Sequence, residues 1–250
     1  MPKNLIGSSP TWHMIRIVTT KTPEIILALD VDNREQAQKI LQATGERLEW
    51  VKVGLQSYLR DGPDLVLSIV DSGKKVFLDL KLHDIPNTMA KAMESLAKLP
   101  IGMLTLHANA GEEALQKCAR LGKEIMPDTL LLAVTVLTSM DQQALNSIGV
   151  KSPVIEQVER LASVAVKSEI GGVVCSPQEL IHLRSCLPPV TRLITPGIRP
   201  AGSAKGDQKR IMTPSLAMDA GADYLVIGRP ILEAENPAAA LDNILGELDQ

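Results

Sequence analysis

The feature that most constrains this chain is an eightfold alternation of two periodicities. Apolar runs of strand length occur at 25–30, 50–53, 75–80, 102–106, 130–136, 171–175, 191–195 and 223–227. Longer segments of helical period lie between them, near 33–45, 62–72, 87–98, 111–125, 152–168, 177–185, 213–220 and 237–248. Short buried strands that alternate with helices specify βα units and a parallel sheet. Eight such units in 250 residues predict a closed (β/α)8 TIM barrel, an α/β fold in one domain over residues 23–250. Residues 1–22 read as a loosely ordered extension. An open doubly wound sheet is the alternative, but it wants a glycine-rich turn after the first strand. Leu29-Asp30-Val31-Asp32-Asn33 stands there instead.

Composition agrees with a sheet buried on both faces. Hydrophobic residues make up 45% of the chain, yet there are only one Phe, two Tyr and two Trp. The core must be aliphatic, as parallel sheets favour. The net charge of −3 and the scarcity of stacking rings argue against a nucleic-acid binder. Three cysteines without metal-knuckle spacing predict reduced, incidental thiols in a cytoplasmic protein. No signal-peptide pattern and no apolar run of about 18 residues appear, so no membrane association is expected.

A barrel of this kind carries its chemistry at the C-terminal ends of the strands. The polar and turn-forming residues at those ends are Asp30, Lys52, Asp79, Lys81, His107, Thr138, Pro196, Arg199, Gly228 and Arg229. The stretch 200–209 (PAGSAKGDQK) reads as a mobile loop over the mouth.

Asp79 and Lys81 are two apart on a strand, so regular pleating places both on the inner side. Ionised groups there need partners. Lys52 ends the second strand, with Val51 and Val53 on the opposite face, and Asp84 follows the third strand on a loop. Two lysines and two carboxylates could alternate, each charge stabilising its neighbours. Such a set can orient or stress an anionic group and deliver a proton to a developing carbanion. A buried salt bridge that only orders the barrel fits the same two-residue spacing.

The longer string Asp79-Leu80-Lys81-Leu82-His83-Asp84-Ile85-Pro86-Asn87-Thr88 is more specific. It resembles the signature of the orotidine 5′-monophosphate decarboxylases. Further segments resemble that family in order: Ala28-Leu29-Asp30, Val51-Lys52-Val53-Gly54, Val136-Leu137-Thr138-Ser139-Met140, Thr195-Pro196-Gly197-Ile198-Arg199 and Ile227-Gly228-Arg229-Pro230-Ile231. The resemblance runs from residue 25 to about 232. It implies decarboxylation of orotidine 5′-monophosphate to UMP in pyrimidine biosynthesis, without cofactor or metal.

It also implies roles. Lys81 would protonate C6, and Asp79 would stand against the substrate carboxylate. Lys52 and Asp84 would complete the charge network. Asp30 and Lys52 would hold ribose hydroxyls, and Thr138 the pyrimidine. Gln208, Gly228 and Arg229 would hold the phosphate, and Arg199 would contribute to substrate binding. In the family the second Asp of the signature and the Ile and Thr after it act across a homodimer. Asp84, Ile85 and Thr88 would therefore serve the partner's site.

Two rivals use the same residues differently. A Mg²⁺-dependent 3-keto-gulonate 6-phosphate decarboxylase-like enzyme shares the core motif but wants an acidic metal ligand near the second strand end, where Lys52 stands, with Gln56 the next polar residue there. A non-catalytic nucleotide-binding barrel would tolerate loss of charged positions, and none is lost. Of the histidines, His83 reads as structural or supporting, His107 as a packing or pocket residue, and His13 and His182 as surface. They are too scattered for a metal cluster. Asp32 is expected to cap the first helix, and Met89 and Met93 to pack in a core or interface.

Overall fold

The structure is a computed structural model and describes residues 22–201 and 210–249. Residues 1–21, most of the expected extension, lie outside the described residues, as do Gln208 and most of the 200–209 loop. Eight parallel strands close into one barrel in sequence order. They are β1 (Glu24–Ala28), β2 (Trp50–Gly54), β3 (Lys75–Leu82), β4 (Met103–His107), β5 (Leu130–Val134), β6 (Gly172–Val174), β7 (Arg192–Pro196) and β8 (Tyr224–Ile227). Pairing of Leu27 with Ile227 completes the ring.

Period-two alternation divides the apolar residues between two cores. Ile26, Trp50, Phe77, Met103, Leu132, Ile194 and Val226 fill the barrel interior. Their sequence neighbours, including Leu27, Val51, Val53, Val76 and Leu78, face the helices in the larger outer core. Met89 and Met93 belong to that outer core, as expected, and both are fully buried. The interior floor is aromatic: Trp50 meets Tyr224 edge-on at 5.9 Å. The Trp50 indole Nε1 donates to Glu24 Oε2 at 2.9 Å, so its buried N–H is satisfied.

All eight principal helices form. Proline opens several of them, at Pro63–Asp71, Pro86–Leu96, Pro214–Asp219 and Pro237–Leu248, where its missing N–H costs nothing. The first helix, Arg34–Thr44, is capped by Asn33, whose Oδ1 accepts from Gln36 N at 2.9 Å. The cap expected at Asp32 is thus one residue late. Asp32 instead accepts from the Gln56 side chain at 3.2 Å. Three short helices escape the periodicity: Leu55–Asp61, Gln142–Ser147 and Arg229–Leu232. Each is too short for a stripe to repeat in the sequence.

Candidate active site

The C-terminal ends of β1, β2 and β3 bring four charged side chains together in an alternating line. Lys52 Nζ lies 3.2 Å from Asp30 Oδ1 and 3.6 Å from Asp79 Oδ2. Lys81 Nζ lies 2.8 Å from the same Asp79 oxygen. The order is Asp30, Lys52, Asp79, Lys81. The ends of the line are the more open: the Lys52 and Asp79 side chains are 10% and 11% exposed, Lys81 32% and Asp30 45%.

Burial by itself would raise the Asp79 carboxyl. The charges of Lys52 and Lys81, with hydrogen bonds from Lys81 and Thr105, outweigh it and hold the group below its ordinary range. Asp79 is therefore a fixed anion between two ammonium groups.

The local backbone explains how Lys81 reaches this place. Regular pleating would suffice to put Asp79 and Lys81 on one side, but the strand is not regular there. The β3–β4 register shifts between Leu78 and Leu82, and Lys81 has φ 51°. A bulge with a left-handed lysine re-aims the side chain, at a conformational cost that non-glycine residues rarely bear. Thr105 holds the distortion. Its hydroxyl donates to Asp79 Oδ1 at 3.0 Å and accepts from the Lys81 backbone N–H at 2.9 Å. Sequence reasoning missed Thr105, although it is the only hydroxyl in Met103-Leu104-Thr105-Leu106-His107 and shares the inward parity of Met103. Gly54, at the end of β2, lies against the same line. A Cβ there would stand 2.9 Å from both Asp30 Oδ1 and Lys52 Nζ, so any other residue would have to displace that pair.

A cavity of about 250 Å³ opens beside the line. Lys52, Asp79 and Lys81 form its charged wall, and Thr138 lines it from the loop after β5. Its remaining walls are largely apolar, among them Phe77, Val136 and Val226. A charged edge facing an apolar chamber suits a flat ligand with one reacting end.

The other candidates are placed differently. Asp84 does not join the line within its own chain: its Oδ1 accepts from the Ile85 N–H at 2.7 Å, and it forms no ion pair among the described residues. Within one chain the second carboxylate beside the two lysines is that of Asp30. Asp84, Ile85 and Thr88 stand exposed at the start of the helix Pro86–Leu96, with Ile85 66% accessible. Arg199 is buried beside the β7 end, where its Nη1 donates to the Ile198 carbonyl at 2.8 Å. Gly228 and Arg229 follow β8, at the start of the short helix Arg229–Leu232. A Cβ on Gly228 would stand 3.3 Å from Ala28 Cβ, so strand packing also favours glycine there.

His83 and His107 stack, with ring centroids 5.0 Å apart. Burial, then the nearby His83 and Lys81, lower His107 to about 4. His182 is bonded to Glu159 at 2.7 Å. With Cys186 it forms a group whose ligand atoms lie within 4.8 Å of one another on outer helices, away from the charged line.

Residues 23–244 match the model of the orotidine 5′-phosphate decarboxylase / HUMPS family. The chain belongs to that family. Members of the orotidine 5′-phosphate decarboxylase / HUMPS family with close sequences include the orotidine 5′-phosphate decarboxylase of Opitutus terrae. It is 48% identical over 225 residues, covering 90% of this chain and 98% of the relative. That of Idiomarina loihiensis is 44% identical over 228 residues, covering 91% and 99%. The crystal structure of orotidine 5′-phosphate decarboxylase from Lactobacillus acidophilus superimposes with a TM-score of 0.80 at 37% identity, covering 91% of this chain and all of that one. The family's barrel is thus the barrel described here, and the matched residues contain every member of the charged line.

Proposed function

We propose that this chain decarboxylates orotidine 5′-monophosphate to UMP and CO2, a step of pyrimidine nucleotide synthesis, using charge placement and no metal or organic cofactor. The observation that carries the reading is the line Asp30, Lys52, Asp79, Lys81 along the wall of a largely apolar cavity.

In this reading the substrate carboxylate sits against Asp79. The C6–carboxyl bond breaks, CO2 leaves, and the electron pair stays on C6. Lys81 then gives C6 a proton from Nζ and regains one from solvent. Asp79 disfavours the bound carboxylate but not the product, so the repulsion is relieved as CO2 departs. Lys52 and Lys81 favour the developing carbanion electrostatically. Asp30 and Lys52 hold the ribose hydroxyls, and Thr138 contacts the pyrimidine. Gly228, Arg229 and Gln208 hold the phosphate, with Arg199 assisting substrate binding. The phosphate contacts supply binding energy remote from the reacting carbon.

The exposed position of Asp84, Ile85 and Thr88 supports a shared site. In a homodimer the partner's Asp84 would extend the charged line, and the partner's Ile85 and Thr88 would close the pocket. The enzyme is proposed to act in the cytoplasm. No helix among the described residues is long and apolar enough to cross a membrane.

The metal-dependent sugar-phosphate reading is not favoured. It needs an acid where the Lys52 ammonium stands between Asp30 and Asp79. The curated relatives at 44–48% identity are orotidine 5′-phosphate decarboxylases by name. The test is the fall in orotidine 5′-monophosphate absorbance on adding the protein with EDTA present. Steady loss of signal is expected. No turnover in any buffer would sink the reading, and turnover abolished by EDTA would overturn its metal-independence while leaving the substrate assignment standing.

A further inference from the structure

Behind the cavity wall lies a second buried charge pair, Arg210 and Glu179, which the reaction above does not use. Their side chains are 9% and 3% exposed. They come from different βα loops. Glu179 follows β6, where its Oε2 accepts from the Ser176 N–H at 2.6 Å and so closes a capping box. Arg210 belongs to the segment after β7, two residues before Met212. Met212 bridges back to Ile198, and its carbonyl accepts from the Arg199 N–H at 2.9 Å.

The arginine also reaches a third loop. Its Nη2 donates to the carbonyls of Val136 at 3.2 Å and Leu137 at 2.9 Å. Those residues lead directly into Thr138, and Val136, Leu137 and Thr138 all line the cavity. One guanidinium therefore ties together the loops after β5, β6 and β7. Desolvating this charge is costly unless it is paired. Glu179 supplies the pairing, and the planar fork leaves one nitrogen free to serve two carbonyls at once.

We propose that Arg210, held by Glu179, is a positioning residue that fixes the β5 loop so that Thr138 meets the pyrimidine. The proposal rests on the reading of this cavity as the nucleotide site. Arg210 acts through the Val136 and Leu137 carbonyls and touches no substrate atom. A lysine in its place keeps the charge opposite Glu179 but loses the fork, so the loop is released while the pair survives.

The test compares two ligands by calorimetry on the full chain: UMP, which carries the base, and ribose 5-phosphate, which lacks it. Arg210→Lys is expected to weaken UMP about tenfold, the scale of one or two lost hydrogen bonds, and to leave ribose 5-phosphate within about twofold. Glu179→Gln, which retains an acceptor for Ser176, is expected to produce the same selective loss. Pairing Arg210→Lys with Thr138→Ala should give less than the sum of the two effects, because both act through one loop. Equal weakening of both ligands, unchanged UMP binding in both variants, or strict additivity would overturn the proposal. A wild-type protein that neither binds UMP nor turns over orotidine 5′-monophosphate would instead overturn the substrate reading on which it rests.

Discussion

Lys81 approaches Asp79 to 2.8 Å from a backbone in the left-handed region, with φ 51°. Proximity and strain occur at one residue, and Thr105 is bonded to both members of the pair. The strain is local to the proposed proton donor, where a bistable or poorly held side chain would be most damaging.

Replacing this lysine separates its chemical role from its conformational one. Lys81→Ala and Lys81→Gly should both lose turnover by at least about 10³-fold, the range that a positioned general acid contributes. Their stabilities should differ. Glycine accepts positive φ and alanine does not, so Lys81→Gly should be more stable by about 1 kcal/mol after its greater unfolded-chain entropy is counted. Urea unfolding reads the difference. An alanine variant as stable as the glycine one would show that the bulge relaxes without the lysine.

Thr105 should be required in proportion to its two bonds. Thr105→Val preserves shape but leaves the buried Lys81 N–H and one Asp79 oxygen without their partner. A loss of about 1–3 kcal/mol in stability is expected, together with a lower kcat. Thr105→Ser keeps the hydroxyl and should recover most of the activity. Equal kcat in the valine and serine variants would remove Thr105 from any role in placing Lys81.

The shared-site reading makes a prediction about mixtures. Asp84→Ala and Lys81→Ala proteins should each be nearly inactive. Mixed and allowed to exchange subunits, they should form heterodimers with one intact site and regain up to about a quarter of wild-type activity in a random equal mixture. Activity that stays at the level of the parents, with exchange demonstrated by differently tagged chains, would confine Asp84 to its own subunit.

His107 gives the fold a pH dependence that can be assigned to one side chain. Its folded-state value is lowered to about 4, by burial first and then by His83 and Lys81. Below about pH 6.5 the unfolded chain takes up a proton that the folded chain refuses. Stability therefore falls as pH drops from about 6.5 to 4. The Asp79 contribution runs in the same direction but is complete above the ordinary carboxylate range and is lost only below it, as pH falls through its depressed folded value. Urea midpoints measured between pH 7 and 4 should decline for the wild type and decline less for His107→Gln. Parallel curves would place the titrating group elsewhere.

Strand order, the two apolar cores and the charged line follow from patterns that repeat along the chain. Val51-Lys52-Val53 is readable because one polar residue between two outward valines can only face inward. The distortion at Lys81 is not readable, since Asp79-Leu80-Lys81 looks like ordinary alternation and the register shift depends on pairing with β4. Thr105 was hidden for the same reason: its partners lie on another strand. Arg210 and Glu179 are 31 positions apart, and no local pattern joins them. Asp84 is legible only as a motif position. Its side chain finds no partner charge among the described residues of its own chain, which is why geometry within one subunit gives it no task.

The aromatic floor has a consequence for traffic. With Trp50, Phe77 and Tyr224 plugging one end of the barrel, the described residues leave the vessel a doorway only at the other. Whatever enters past the charged rim must back out by the same route. A molecule parked in that doorway therefore obstructs arrival and departure alike, and no rear exit is left for a small gas to escape ahead of its bulkier companion.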